Sequence, residues 1–385
     1  MNRKVRNALI VCTRRIGDVL LATPLVQSLK ADDPKMNIDM LVFEGTQGIL
    51  SRSEGVRRVW TVARRPSAMT HLALLRSLWN QYDLALSVLP GDRPTFYSWV
   101  AGRYRIGTML PDRKSWWKRL ILHEWIPFDN LSTHTVAMNL RLLGPLDVAP
   151  VPTPAVSWRE EDEKVVGTFF HAFEKPVRYA VLHVSPKFVY KAWTTEGWVV
   201  LGRWLQEQGL AVVLTGGSST AEKGYVEQVL RASKSDWIDV SGQVELPSVA
   251  ALLNRASLYV GTDTAVSHIA AAVGTPTIIL FGPSNPVKWG PWPKDFPASA
   301  SSPWQSRGSQ RQGNVFLIQG EGDCVPCLNE GCERHIYSVS QCLQTLPAQR
   351  IIDVARSFLH EYEEAVHAKA VPVASAGLSG TKNVG

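Results

Sequence analysis

The stretch GTDTAVSHIAAAVGTPTIILFG (residues 261–282) sets an acidic turn between a short apolar run and an alanine-rich segment that ends at Gly274. Read as strand, helix and strand, it puts Asp263 at a strand end and the backbone N–H groups of Thr264 and Ala265 at a helix start. An uncapped helix N-terminus attracts anions, phosphate above all. The Asp263 carboxylate would then meet a sugar hydroxyl rather than the phosphate, although an Asp that only caps the helix explains the residue in isolation. His268 lies one helical turn after Thr264, where it either reaches a diphosphate or packs against the neighbouring strand. The pair Gly216 and Gly217, in LTGGSS, follows another apolar run and lets a ligand approach the backbone.

A second constellation is Cys324-x2-Cys327-x4-Cys332-x9-Cys342, with His335 among the cysteines. Its first pair has zinc-knuckle spacing but the whole is not a familiar finger, so a structural zinc and reduced thiols packing a loop both stay open. Stable disulfides are disfavoured in a reducing compartment. Cys12 sits in an apolar run and reads as core rather than nucleophile.

These residues need elements to hold them, and the periodicity supplies such elements twice. ALIVC (8–12) reads as a buried strand, DVLLATPLVQSLK places Val19, Leu20, Leu25, Val26 and Leu29 at near-helical spacing, and NIDMLVF (37–43) returns as a strand. YDLALSVL (82–89), with a helix closing at RSLWN before it, and a segment around Arg105 and Ile106 continue the alternation. Proline density around APVPTPAV (149–156) marks a linker. The second series runs through YAVLHVS (179–185), a helix capped by Thr194 and stopped by Gly209, LAVVLTGG (210–217), a helix to about Ala232, IDVSG, LPSVAALLNRA and LYVGTD. The expected fold class is α/β, two Rossmann-like doubly wound domains facing a cleft. The expected divisions are 1–150, a linker over 151–178, 179–346, an amphipathic closing helix over 347–368 and a disordered tail over 369–385. Open sheets of this kind bind ligands at the carboxyl ends of their strands, which places function in the cleft.

At 385 residues the chain suits two ordinary cores. No apolar run reaches membrane-spanning length, and Arg14 and Arg15 break the apolar core of any export signal, so the expected location is cytoplasmic. The net charge of +7 is unevenly spread: residues 1–150 hold 21 Lys and Arg against 12 Asp and Glu, and the remainder 20 against 22. Such asymmetry points to an anionic partner for the first half or to a merely solvated basic face. RKSWWKR (113–119) mixes indoles with cations as the headgroup layer of an anionic membrane favours, although paired tryptophans suit a core as well. Nothing resembles a nucleic-acid-binding module or a stacking platform for bases.

The pairing of RRIGDVLLATPLVQSLK with GTDTAVSHIAAAVGTPTIILFGPSNPVKWGPW resembles glycosyltransferase family 9, the ADP-heptose:lipopolysaccharide heptosyltransferases, over roughly residues 7–355. The resemblance implies a GT-B fold with acceptor on the N-terminal domain, nucleotide sugar on the C-terminal domain, and inversion at the anomeric carbon. It makes Asp18 the general base. A carboxylate in the first turn of a helix is a weak base unless a closed cleft desolvates it. Lys191 falls where the family has a lysine that reaches the donor's phosphates or ribose, and Ser185 where it has a hydroxyl residue. Pro186 replaces a second hydroxyl, and Glu222, the first acidic residue after the glycine pair, looks distant for the ribose.

Arg14, Arg15, Arg64 and Arg65 fall on the acceptor side, where guanidinium forks suit carboxylate and phosphate. The implied partners are ADP-heptose or another nucleotide sugar, a lipid A-core acceptor bearing Kdo, and the anionic inner-membrane surface, on which the protein would be peripheral. No cofactor is implied for catalysis, and no Asp-x-Asp motif for metal is present. The heptosyltransferase III type within the family is similar in the cysteine cluster. A transferase using another nucleotide sugar and a non-catalytic scaffold binding anionic membrane or glycolipid are the alternatives.

Overall fold

The computed structural model describes residues 5–171 and 177–370, with residues 362–370 described as backbone. The expected tail lies outside these residues from 371 on, and the expected linker in part, at 172–176. The first sheet is built of β1 (Asn7–Cys12), β2 (Asn37–Phe43), β3 (Arg58–Val62), β4 (Tyr82–Ser87), β5 (Gly102–Met109) and β6 (Glu124–Pro127), in the order β3-β2-β1-β4-β5-β6. Every neighbouring pair is parallel. The second holds β7 (Tyr179–His183), β8 (Ala211–Thr215), β9 (Ile238–Asp239), β10 (Leu258–Thr262), β11 (Thr277–Phe281), β12 (Gln310–Gln312) and β13 (Val315–Gln319), in the order β12-β13-β11-β10-β7-β8-β9. Only β12 runs antiparallel to its neighbour. The central strands are buried along their length, which is why they read as unbroken apolar runs. This is the two-sheet α/β architecture of the GT-B class.

The apolar residues of β1 alternate between two cores. Ala8, Ile10 and Cys12 pack with α1 (Ile16–Leu20) and α2 (Thr23–Asp32), whereas Leu9 and Val11 pack with α3 (Ala68–Leu78) and α4 (Asp92–Ala101). The single helix expected over DVLLATPLVQSLK is two: the chain breaks at Leu21 and Ala22, and Pro24, which has no N–H to donate, opens the second. The lobe is completed by α5 (Lys118–Ile121) and α6 (Thr135–Leu140). The linker is not bare loop, for it carries α7 (Glu160–Thr168), which packs on α10 (Leu246–Arg255). The second lobe adds α8 (Thr195–Glu207), α9 (Thr220–Ser233), α11 (Ala265–Val273), α12 (Pro286–Trp289), α13 (Gln341–Gln344) and α14 (Ala348–Ala370). Thr194 caps α8 by accepting from Gly197 N–H at 3.0 Å, and Gly274 closes α11 at φ 92°, a left-handed turn that glycine adopts without strain. The closing helix buries Ile351, Ile352, Ala355, Phe358 and Leu359 against the second lobe, the expected amphipathic stripe.

The lobes meet firmly. The largest apolar cluster joins Leu20, Leu21 and Ala137 of the first lobe to Val249, Ile269 and Trp292 of the second. Beside it, residues 129–135 bond to residues 285–301. Asn285 Nδ2 donates to Leu131 O at 2.8 Å, Lys288 Nζ to Asp129 O at 2.8 Å, and Thr135 Oγ1 to Lys288 O at 3.1 Å. His134 is fully buried, with Nε2 2.7 Å from Gly290 O and Nδ1 accepting from Val136 N–H. Burial pushes its pKa down to about 3, and likewise pushes His183 and His268 down to about 4. All three are neutral in the fold at pH 7 and, when unfolded, take up a proton near pH 6.5. Their stabilisation is therefore complete above that value and lost between about pH 6.5 and 4 for His183 and His268 and down to about pH 3 for His134. Urea midpoints should fall steadily over this interval, and His134→Gln should flatten the slope.

Candidate active site

Asp18 is the third residue of α1, directly beyond the carboxyl end of β1. Its Oδ2 accepts from the Arg15 backbone N–H at 3.3 Å, closing a capping box, while Oδ1 has no hydrogen-bond partner among the described residues and lies 3.6 Å from Arg14 Nε. The carboxylate is 7 % exposed. Burial raises its pKa, and the opposing pull of Arg14, of the Arg15 N–H and charge, and of Lys191 does not cancel that effect. The weak base expected at a helix start is thus strengthened by desolvation.

Gly17 carries this residue against the second lobe. A Cβ there would sit 3.5 Å from the His268 ring and 3.8 Å from Ala265 Cα, so α1 abuts the start of α11. That start is capped by Thr264, not by Asp263, and the Thr264 side chain makes no capping bond. The possibility of Asp263 as a simple cap therefore fails. Its buried carboxylate pairs instead with Lys191 Nζ, which also donates to Asp263 O at 3.3 Å. Burial pushes the Asp263 pKa up, but the Lys191 charge and hydrogen bond, helped by Ser284 and His268, hold it below the usual carboxylate range. His268 is buried and its Nδ1 has no partner among the described residues; Thr262 Oγ1, at the end of β10, is likewise unpartnered among them.

Ser185 is buried just past β7, and the Cβ position of Gly216 lies 3.8 Å from it. The Glu222 side chain folds back through Ser219 Oγ until its carboxylate lies over Gly217, closing the gap that its sequence position suggested. Arg15 stacks over Phe188 at 4.7 Å and Arg14 over Trp289 at 5.1 Å, so both guanidiniums bridge to the second lobe. Arg64 and Arg65 are exposed beyond β3, with Arg64 over Phe43; they make no contact with Asp18.

A small pocket beside Asp18, ≈ 10 Å³ in volume, is lined by Arg14, Asn139 and Trp289 among others, and by Lys288, which nothing in the sequence spacing singles out. Lys288 is 1 % exposed, sits over Phe128 at 4.5 Å, and has its pKa pushed down to about 8 by burial, Asp129 partly opposing. Its signal was a lone lysine between Pro286 and Trp289 in an otherwise apolar stretch.

The N-terminal helix start of one lobe, bearing a desolvated carboxylate, therefore faces an open helix start of the other. A family model described as Glycosyltransferase family 9 (heptosyltransferase) matches residues 72–316. The chain belongs to glycosyltransferase family 9. It is 30% identical to lipopolysaccharide heptosyltransferase 3 of Escherichia coli (strain K12) over 286 residues, 72% of this chain and 82% of the relative. In fold, this family 9 enzyme is similar to the family 9 glycosyl transferase of Veillonella parvula DSM 2008, with TM-score 0.77 at 18% identity, covering 94% and 99% of the two chains. It is also similar to E. coli heptosyltransferase WaaC with ADP, with TM-score 0.67 at 19% identity, covering 91% and 99%.

Four cysteines of this family 9 enzyme fall between residues 324 and 342. Cys342 is buried, Cys327 half-buried, Cys324 and Cys332 exposed, and all are free. Among the described residues no three His, Cys, Asp or Glu side chains are arranged to hold a metal ion, and His335 pairs with Glu333 instead. Burial first, then the neighbouring thiols, push Cys342 up to about 11, which keeps it protonated. The loop braces the segment carrying Lys191: Ser340 Oγ donates to Tyr190 O at 2.6 Å and Gln344 Nε2 to Ala192 O at 3.0 Å. Cys12 is fully buried in the core, where burial raises its thiol pKa well above the usual range. No helix among the described residues is long and apolar enough to cross a membrane.

Proposed function

We propose that the enzyme transfers heptose from ADP-heptose to the inner core of lipopolysaccharide, inverting the anomeric centre without a metal, at the cytoplasmic side of the inner membrane. One observation carries the reading: the desolvated, half-partnered Asp18 of one lobe directly follows Gly17, which abuts the open start of α11, where His268 Nδ1 has no partner among the described residues either. Its relatives agree with it: the similar protein of Escherichia coli (strain K12) is a lipopolysaccharide heptosyltransferase, and the similar WaaC structure is a complex with ADP.

In this reading Asp18 takes the proton of an acceptor hydroxyl as its oxygen forms the bond to the anomeric carbon. The bond from that carbon to the diphosphate breaks on the opposite side, and ADP leaves. Charge gathering on the leaving diphosphate is met by the N–H groups opening α11 and by Lys191, while neutral His268 donates or accepts at its edge. Glu222 over Gly217 is placed to bind a ribose hydroxyl. Arg14, Arg15, Arg64 and Arg65 serve the phosphates and Kdo carboxylates of a lipid A-core acceptor, and Lys288 adds a cation beside Asp18. Thermal-shift titration tests the donor: ADP and ADP-heptose should raise the melting temperature, whereas UDP and GDP sugars should not. Selective stabilisation by a UDP sugar would overturn the heptose assignment.

A further inference from the structure

We propose that the face formed by α3, α4 and α5 is a docking surface for an anionic lipid bilayer, deepening the function above by naming how the enzyme reaches a lipid-anchored acceptor. An ordinary surface helix turns polar side chains outward, but α3 is apolar on both sides. Leu74, Leu75 and Leu78 pack toward the sheet, while Met69 and Leu72 are 82 % and 47 % exposed. Arg76 continues that outward side at helical spacing. Next to α3 lies α4, and Trp79 meets Trp99 edge-on at 6.4 Å, both indoles largely in solvent. Beyond α4 lies α5, where Leu120 is 76 % exposed, and Trp116, just before it, is 63 % exposed.

This edge is held in place. Lys118 is buried, ion-paired to Asp92 Oδ1 at 2.9 Å and bonded to Pro90 O, so the residues on either side of it are fixed in an outward orientation. Large apolar side chains exposed on three neighbouring helical segments mark an interaction site, and charge selects the partner. Residues 64–119 hold ten Lys and Arg against three Asp, an excess equal to that of the whole chain, and Arg113, Lys114 and Arg119 flank the exposed indole. Tryptophan set among cations matches the headgroup layer, where the ring lies at the interface and the cations meet anionic lipid. The same lobe carries Asp18, so docking would present the base to an acceptor held in the bilayer.

The test is sedimentation of the full chain with vesicles of phosphatidylcholine alone or mixed with phosphatidylglycerol, without saccharide or nucleotide. The protein should pellet with the anionic vesicles and weakly with the neutral ones. Met69→Ser, Trp116→Ser and Leu120→Ser combined should weaken that binding roughly tenfold or more, with the melting temperature retained. Arg113→Glu with Lys114→Glu should remove the preference for anionic lipid, and Val200→Ser, 49 % exposed on α8 of the other lobe, should change nothing. Equal binding to both vesicles, or an unaffected triple variant, would overturn the proposal. So would a dimer in sedimentation velocity that the triple variant dissolves, which would assign the face to self-association. Because the vesicles carry no acceptor, failure of sugar transfer with vesicle binding intact would count against the proposed reaction and not against this face.

Discussion

Asp18→Asn is expected to lower kcat by about 10²- to 10⁴-fold, the range a positioned general base supplies, while leaving donor binding in place. The same variant should be more resistant to urea at pH 7 than the parent. The carboxylate is buried with one oxygen unpartnered, and burial raises its pKa. A carboxyl whose folded pKa is raised adds stability below its unfolded value, near pH 3.9, and loses that contribution as pH rises through the folded one. At pH 7 the ionised group is therefore a burden that Asn lifts, so activity and stability should move in opposite directions. In the parent, kcat/KM should climb with pH as Asp18 ionises, and this limb should vanish in the variant. Retention of more than a tenth of the parent's activity would remove Asp18 from the role of base.

Lys191→Met should damage both fold and function. It leaves the Asp263 carboxylate buried without its cation, and breaking a buried pair by removing one partner costs about 3–5 kcal/mol; the two side chains are 15 % and 9 % exposed. Adding Asp263→Asn should return most of that stability, because an amide needs no counter-ion. Transfer should stay low in the double variant, since the cation proposed to meet the leaving diphosphate is still missing. Denaturant curves and initial rates on the two variants separate these effects. A single variant as stable as the parent would deny the pair a structural role, and a double variant with restored transfer would deny Lys191 a part in the reaction.

The elements that frame the cleft were legible because their signals are local. NIDMLVF, apolar but for Asn37 and Asp39, and TIILF are predominantly apolar, as strands buried on both faces are, and their ends agree with the observed β2 and β11. Thr194 and Gly274 announced their helix ends by type. The strands β3, β6 and β12 escaped notice because edge strands are half in solvent and read RVWTV, EWIP and QRQ, without an apolar run. β13, VFLIQ, is apolar and was passed over between two loops.

At the site, sequence could place Asp263 at a strand end and Asp18 in the first turn of a helix, and the family resemblance singled out Lys191, but none of this gave their partners. That Lys191 pairs with Asp263 across 72 positions, that Glu222 curls over Gly217, and that Lys288 comes to Asp18 from the other lobe are tertiary facts. No periodicity encodes them.

The apolar cluster that runs from Leu20 and Leu21 into Ile269 and Trp292 makes the two halves a single cooperative unit. Cut apart, each half would carry a wet, sticky scar where the other had been, and neither could be inherited, swapped or evolved as an independent module without first repairing that surface.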